Sequence, residues 1–172
     1  MTTADDVLVP GTGLPDFAMP VADGGVLTRA DLAGTGAVLF FYPRDNTPGC
    51  TREAQDFSAL LDQFVALGLP VIGISRDTPD SHTRFSARHG LRVTLASDTG
   101  EEPLSGRLGI WTRKQLYGRT FTGMVRTTLL IGPDLRIARI WRNVRVSGHA
   151  EAVLEAARQR VSAGWAPGAQ AP

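Results

Sequence analysis

This 172-residue chain contains a single cysteine and a single lysine. One cysteine excludes an intrachain disulfide and any metal site that needs several thiolates. It also suits a reducing compartment, where thiols stay free. The scarcity of lysine leaves almost all positive charge to arginine, which reads as codon-level bias before it reads as function. The formal net charge is only +1. Nothing in that balance argues for a nucleic-acid or anionic-membrane partner. The longest apolar run, AVLFFY at 37–42, is far too short to span a bilayer. The opening MTTADDVLVPG has neither a basic segment nor a long apolar stretch, so no secretory signal is expected. A cytoplasmic location follows as the expectation. No internal repeat is visible.

What is present reads as one α/β domain over 1–172, with loose ends at about 1–8 and 164–172. DFAMPVADGGVL predicts a hairpin turning at Asp23-Gly24-Gly25, followed by a short turn capped by Thr28. AVLFFY predicts a strand covered on both faces. From 51 to 67 the period changes. Ala54, Phe57, Leu60, Leu61, Phe64 and Leu67 form one helical face, which Gly68 ends. LPVIGIS predicts a second buried strand. A helix should run from Thr78-Pro79 to Gly90, and VTLAS should form a short strand. VRTTLLI and LRIARIW flank a Gly-Pro-Asp turn and predict an antiparallel hairpin. HAEAVLEAARQRV predicts the last amphipathic helix. The order implies a central mixed sheet with helices on both faces and an N-terminal hairpin.

Cys50 falls where the first buried strand gives way to the long helix. That is the sheet edge at which α/β proteins bind ligands, and a helix N-terminus favours a thiolate. The same residue could instead be a small buried hydrophobe. The polar stretch PRDNTPG before it speaks against the core reading, but these residues alone leave both open. An unperturbed thiol is about 3% ionised at pH 7, so a lowered pKa can gain at most roughly 30-fold in thiolate. Efficient thiol chemistry needs donors aimed at the transition state as well. Thr47, three residues upstream, could turn its hydroxyl inward. Arg126, inside the apolar run GMVRTTLLI, needs an anion to meet it. Glu53, one turn beyond Cys50, could hold that arginine.

YPRDNTPGCTREA resembles the active-site segment of peroxiredoxins, with Pro43, Thr47 and Cys50 filling the pattern Pro-x-x-x-Thr/Ser-x-x-Cys. FYPRDNTPGCT together with Arg126 most resembles the peroxiredoxin Q, or bacterioferritin-comigratory, group. LPDFAMP, VIGISRDTPDSHTRFSARHGL and IWTRKQLYGRTFTG extend the resemblance along most of the chain. The resemblance implies a thioredoxin fold and a thiol-dependent peroxidase without cofactor or metal. In that reading Cys50 is the peroxidatic nucleophile, which passes through a sulfenic acid. Thr47 bonds peroxide and thiolate, Arg126 stabilises the thiolate, and Pro43 shields the sulfur. Hydrogen peroxide and organic hydroperoxides are the expected substrates, with a role in antioxidant defence and redox homeostasis.

The chain departs from the group at Gln55, where many members carry a resolving cysteine. The stretch SHTRFSARHG, where others carry one, also lacks it. A 1-Cys mechanism with an external reductant is therefore expected: thioredoxin, glutaredoxin or a low-molecular-weight thiol. The resemblance leans towards a monomer or weak dimer. A thiol sensor or holdase on the same fold is the alternative. A thioredoxin-like disulfide oxidoreductase is disfavoured, because its two-thiol motif is missing.

Other features carry less. His82, His89 and His149 have no metal-ligand spacing and are expected at the surface or at caps. Arg136, Arg139, Arg142 and Arg145 read as a solvated edge, and Arg44 as exposed. Trp111, Trp141 and Trp165 read as packing residues.

Overall fold

A computed structural model describes residues 8–165. Its centre is a five-stranded sheet. β3 (Ala37–Phe41) pairs in parallel with β4 (Val71–Ser75), and β4 in parallel with β5 (Thr94–Ser97). On its other side β3 pairs antiparallel with β8 (Thr127–Ile131), which pairs antiparallel with β9 (Ile137–Trp141). The spatial order is thus β5-β4-β3-β8-β9. The expected N-terminal hairpin is present as β1 (Ala18–Pro20) and β2 (Val26–Thr28). A 3-10 turn follows at Arg29–Leu32, where the Asp31 carboxylate accepts from both the backbone N–H and the hydroxyl of Thr28.

Side-chain alternation divides the core in two. Ala37, Leu39 and Phe41 face one side of the sheet with Ile72, Ile74, Leu129 and Ile131. Val38, Phe40 and Tyr42 face the other with Val71, Leu95 and Leu130. Helical segments cover both faces, but unequally. The second face carries the long helices α1 (Pro48–Ala66), α2 (Pro79–His89) and α4 (His149–Ser162), through Phe57, Phe64, Phe85, Val153 and Leu154. The first face is closed by the N-terminal hairpin, the 3-10 turn and the one-turn α3 (Leu104–Arg107). Every strand of β3, β4 and β8 is buried on both faces, which is why these runs are continuously apolar.

Helix limits follow local chemistry. Proline opens both α1 and α2, at the first-turn position where its missing N–H costs nothing. Thr78 caps α2 by accepting from the Ser81 N–H, and Gly90 closes it in the left-handed conformation. Gly68, also left-handed, follows α1. α1 begins three residues earlier than its apolar period suggested, so Cys50 lies within its first turn.

One element was not foreseen. β6 (Trp111–Leu116) and β7 (Arg119–Met124) form a separate antiparallel ribbon. Leu8, placed in a loose end by sequence, is buried in the core, and Trp165 packs against the helical face. The rest of that loose-end expectation, residues 1–7 and 166–172, lies outside the described residues.

Candidate active site

β3 delivers the chain to Tyr42 and Pro43. The turn that follows contains Asn46 in the left-handed conformation (φ 63°), and Thr47 then enters α1. Cys50 sits at the third position of α1, near backbone N–H groups that the helix itself cannot satisfy. Its side chain points inward, and the residue is only 1% exposed. This corrects the reading that set the polar PRDNTPG turn against burial. The turn is polar, yet the cysteine after it belongs to the same buried stripe as Ala54, Phe57 and Phe64.

Arg126 meets the sulfur. Its Nη2 donates to Cys50 Sγ at 3.4 Å, and its Nη1 donates to Glu53 Oε1 at 2.8 Å. The guanidinium therefore bridges two residues of one helical turn, which are three apart and share a face. Arg126 does not lie inside a strand, as expected, but in the link between β7 and β8. That link is where a half-buried guanidinium can reach across the sheet edge. Gly49 makes room for it, since a Cβ there would lie 3.2 Å from Nη2.

The electrostatics are those of a site that favours an anion. Burial pulls Arg126 down, but Glu53 and the Cys50 sulfur outweigh it and hold the guanidinium above its ordinary value. Burial raises Glu53 to about 7, against the opposing pull of Arg126. Among the described residues, Glu53 Oε2 is buried without a partner. His149 donates or accepts at Thr128 Oγ1 (2.8 Å) and is pushed down to about 4 by burial and by the charge of Arg126. It is a buried neutral ring rather than the surface or capping residue expected.

Thr47 does not turn its hydroxyl towards the sulfur. Thr47 Oγ1 donates to the Arg44 carbonyl at 2.9 Å, and Thr47 O accepts from the hydroxyl of Thr51. Pro43 is half-buried at the end of the β3 extension, and Arg44 is exposed as expected. Gln55 lines a surface cavity of about 440 Å³ with Asn46, Pro48, Thr51, Arg52, Arg88 and His89. Pro48, Thr51, Arg52 and Gln55 share the face of α1 opposite Cys50.

Sequence reasoning missed a second buried cluster next to this turn. Tyr42 Oη donates to Asp45 Oδ1 at 2.6 Å, and Ser81 Oγ donates to Asp45 Oδ2 at 2.8 Å. His82, completely buried, places Nδ1 2.8 Å from Asp45 Oδ2 and Nε2 3.1 Å from the Ala96 carbonyl. Burial works against the Asp45 carboxylate, but the bonds from His82 and Tyr42 hold it below the usual range. A signal was available. His82 precedes Phe85 by three residues, so both fall on the buried face of α2. Among the described residues, no group of three or more potential metal ligands comes together.

A family model described as AhpC/TSA matches residues 10–140. The chain belongs to that family. Peroxiredoxin Bcp of Xanthomonas campestris pv. campestris is 40% identical over 141 residues, covering 82% of this chain and 88% of that protein. Peroxiredoxin Bcp of Bacillus subtilis is 34% identical and covers 84% of this chain and 92% of that protein. A solved structure of the Xanthomonas campestris bacterioferritin comigratory protein, described for its alkyl peroxide reduction activity, superposes with a TM-score of 0.79 at 39% identity. It covers 84% of this chain and 92% of that one. The protein is therefore a peroxiredoxin of the Q/Bcp group, a thiol peroxidase on the thioredoxin fold.

Proposed function

We propose that Cys50 is the peroxidatic residue and that the enzyme turns over by a 1-Cys mechanism. The observation that carries this reading is the Arg126 guanidinium bridging Glu53 and the only sulfhydryl in the chain. The thiolate attacks the terminal oxygen of hydrogen peroxide or of an organic hydroperoxide. An S–O bond forms, the O–O bond breaks, and the leaving oxygen takes a proton to become water or an alcohol. Cys50 is left as a sulfenic acid. Arg126 stabilises the thiolate and the charge that moves onto the peroxide. The hydroxyl hydrogen of Thr47 is engaged by Arg44, so its oxygen would accept from the peroxide O–H. Pro43 shields the sulfur from water.

An external thiol then condenses with the sulfenic acid, releasing water and forming a mixed disulfide. A second thiol frees Cys50. The Xanthomonas campestris peroxiredoxin Q has been solved with either of two cysteines replaced, 36 residues apart. The same separation from Cys50 reaches Ser86, which carries a hydroxyl and no thiol. Because Cys50 is buried, a bulky thiol reaches it only after the first turn of α1 opens. Gly49 in that turn, and a Thr47 side chain that makes no cap, keep the cost of opening low. Dependence on external thiols suits a cytoplasmic antioxidant role.

The test is peroxide consumption with thioredoxin, with glutaredoxin plus glutathione, and with dithiothreitol, for wild type and Cys50→Ser. Wild type turns over repeatedly with at least one of them, and Cys50→Ser with none. Turnover by Cys50→Ser, or a single oxidation of wild type that no thiol reverses, would overturn the reading. The second result would point to a sensor.

A further inference from the structure

The one lysine of the chain lies on the unforeseen ribbon and bonds the backbone two residues before Arg126. Lys114 is on β6, and its Nζ donates to the Met124 carbonyl at the end of β7. Its aliphatic stem passes Gly123, where a Cβ would sit 3.5 Å from Lys114 Cδ. Met124 is two residues before Arg126. The link that carries Arg126 is fixed at three further points: the Val125 N–H donates to the Ile110 carbonyl, the Val125 carbonyl accepts from the Thr127 hydroxyl, and the Val144 N–H donates to the Arg126 carbonyl. Among the described residues, Lys114 brings the charged side chain to these anchors.

Burial and the neighbouring Arg126 charge lower Lys114, while the Cys50 sulfur acts in the opposite sense. Lysine and arginine thus repel each other across the site, and an anion at the sulfur relieves both. The guanidinium donates to the buried sulfur and the ammonium bonds the backbone two residues before it, so both charges are tied to one short link. The choice of residue is informative too. This chain uses arginine at every other basic position.

We propose that Lys114 is a positioning residue for the peroxidase reaction: through the Met124 carbonyl it sets the link that aims Arg126, and its charge favours the Cys50 thiolate. The inference rests on Cys50 as the peroxidatic residue. The other charged or titratable groups around the sulfur are Arg126 from the β7–β8 link, Glu53 on α1, and His149 on α4, which faces Arg126.

The experiment compares wild type, Lys114→Met and Lys114→Arg. Second-order rates of Cys50 oxidation by hydrogen peroxide are measured from pH 5 to 9, alongside thermal unfolding. Lys114→Met keeps the stem and removes the charge. It should slow oxidation at pH 7 about tenfold, the order expected for one partly screened unit charge, and move the rate midpoint to higher pH. Lys114→Arg should return the midpoint towards wild type without restoring the full rate. Because Glu53 titrates near the same pH, the pair is repeated in a Glu53→Gln background, where the shift should persist. An unmoved midpoint in Lys114→Met overturns the proposal. So does slowing that Lys114→Arg reproduces in full, or that only accompanies a lower Tm. Failure of the Cys50 assignment itself would show separately, as peroxide turnover by Cys50→Ser.

Discussion

Two buried charged clusters flank the same turn in the chain, and they are built differently. In the first, every donor and acceptor has a partner. Asp45 accepts from Tyr42, Ser81 and His82, and its backbone N–H donates to Asp77 Oδ2, which also accepts from Ser75. Both ring nitrogens of His82 face oxygen atoms, Asp45 Oδ2 at 2.8 Å and the Ala96 carbonyl at 3.1 Å. In the second, capacity is left over. Among the described residues, Glu53 Oε2 has no partner, and the Cys50 sulfur receives a single donor at 3.4 Å. A closed network holds a backbone in place, whereas an open one can still bind something. The first cluster fixes the turn that the second uses.

The sharpest way to break this contrast is to remove one partner from each cluster. Asp45→Ala should destabilise the fold by about 3–5 kcal/mol, since Tyr42, Ser81 and His82 each lose a buried partner at about 1–3 kcal/mol apiece. Where the variant is still folded, its rate with peroxide should change far less than its stability. Urea denaturation and stopped-flow oxidation on the same sample give both numbers. A rate loss as large as the stability loss would mean that the two clusters act as one.

Arg126→Met should do the reverse. Peroxide attack should slow by roughly 10²–10³, as for loss of one preorganised donor at an active site. The fold should survive, because Glu53 can take up a proton once its cation is gone. A Cys50 pKa that stays put in a thiolate titration would count against the 3.4 Å contact as the source of activation. Thr47→Val should have a smaller effect, on the order of tenfold, since the Thr47 hydroxyl does not touch the sulfur in the resting site. An unchanged rate would remove Thr47 from the list of peroxide contacts.

Much of this was legible from residues, and what was not has physical causes. Continuous apolar runs announced β3, β4 and β8. Thr78, Pro79 and Gly90 bracketed α2. Pro43, Thr47, Cys50, Glu53 and Arg126 were found by pattern, and the structure brings Cys50, Glu53 and Arg126 into contact. The β6–β7 ribbon escaped because most of it is exposed, with Tyr117 95% accessible at its tip, so no period of two marks it. The burial of Cys50 escaped because its apolar stripe was started at Ala54; one turn further back, the stripe includes the sulfur. Buried His82 and His149 look like any polar residue on an amphipathic helix until their oxygen partners, distant in sequence, are known.

The smallest expected effect separates the two histidines and the open carboxyl by pH. Glu53 is raised from 4.5 to about 7 in the folded protein. Its contribution is fully present below 4.5 and is lost as pH rises through 7, because the native state holds that proton longer. His149 is lowered from 6.5 to about 4. Its contribution is present above 6.5 and is lost as pH falls through 4, because the unfolded state takes the proton first. Between about 4.5 and 6.5 the two slopes have opposite signs, each at most about 1.4 kcal/mol per pH unit. In wild type they should nearly cancel in that window, leaving stability almost flat with respect to these groups. Glu53→Gln should expose the histidine slope, so that stability rises with pH from 4.5 to 6.5. His149→Gln should expose the carboxyl slope, so that stability falls over the same range, whatever the loss of the Thr128 bond does to its absolute value. Urea midpoints at half-unit steps of pH resolve slopes of this size. Parallel curves for wild type and both variants would show that neither group is displaced from its ordinary titration, and that the Cys50 cluster is less desolvated than its geometry indicates.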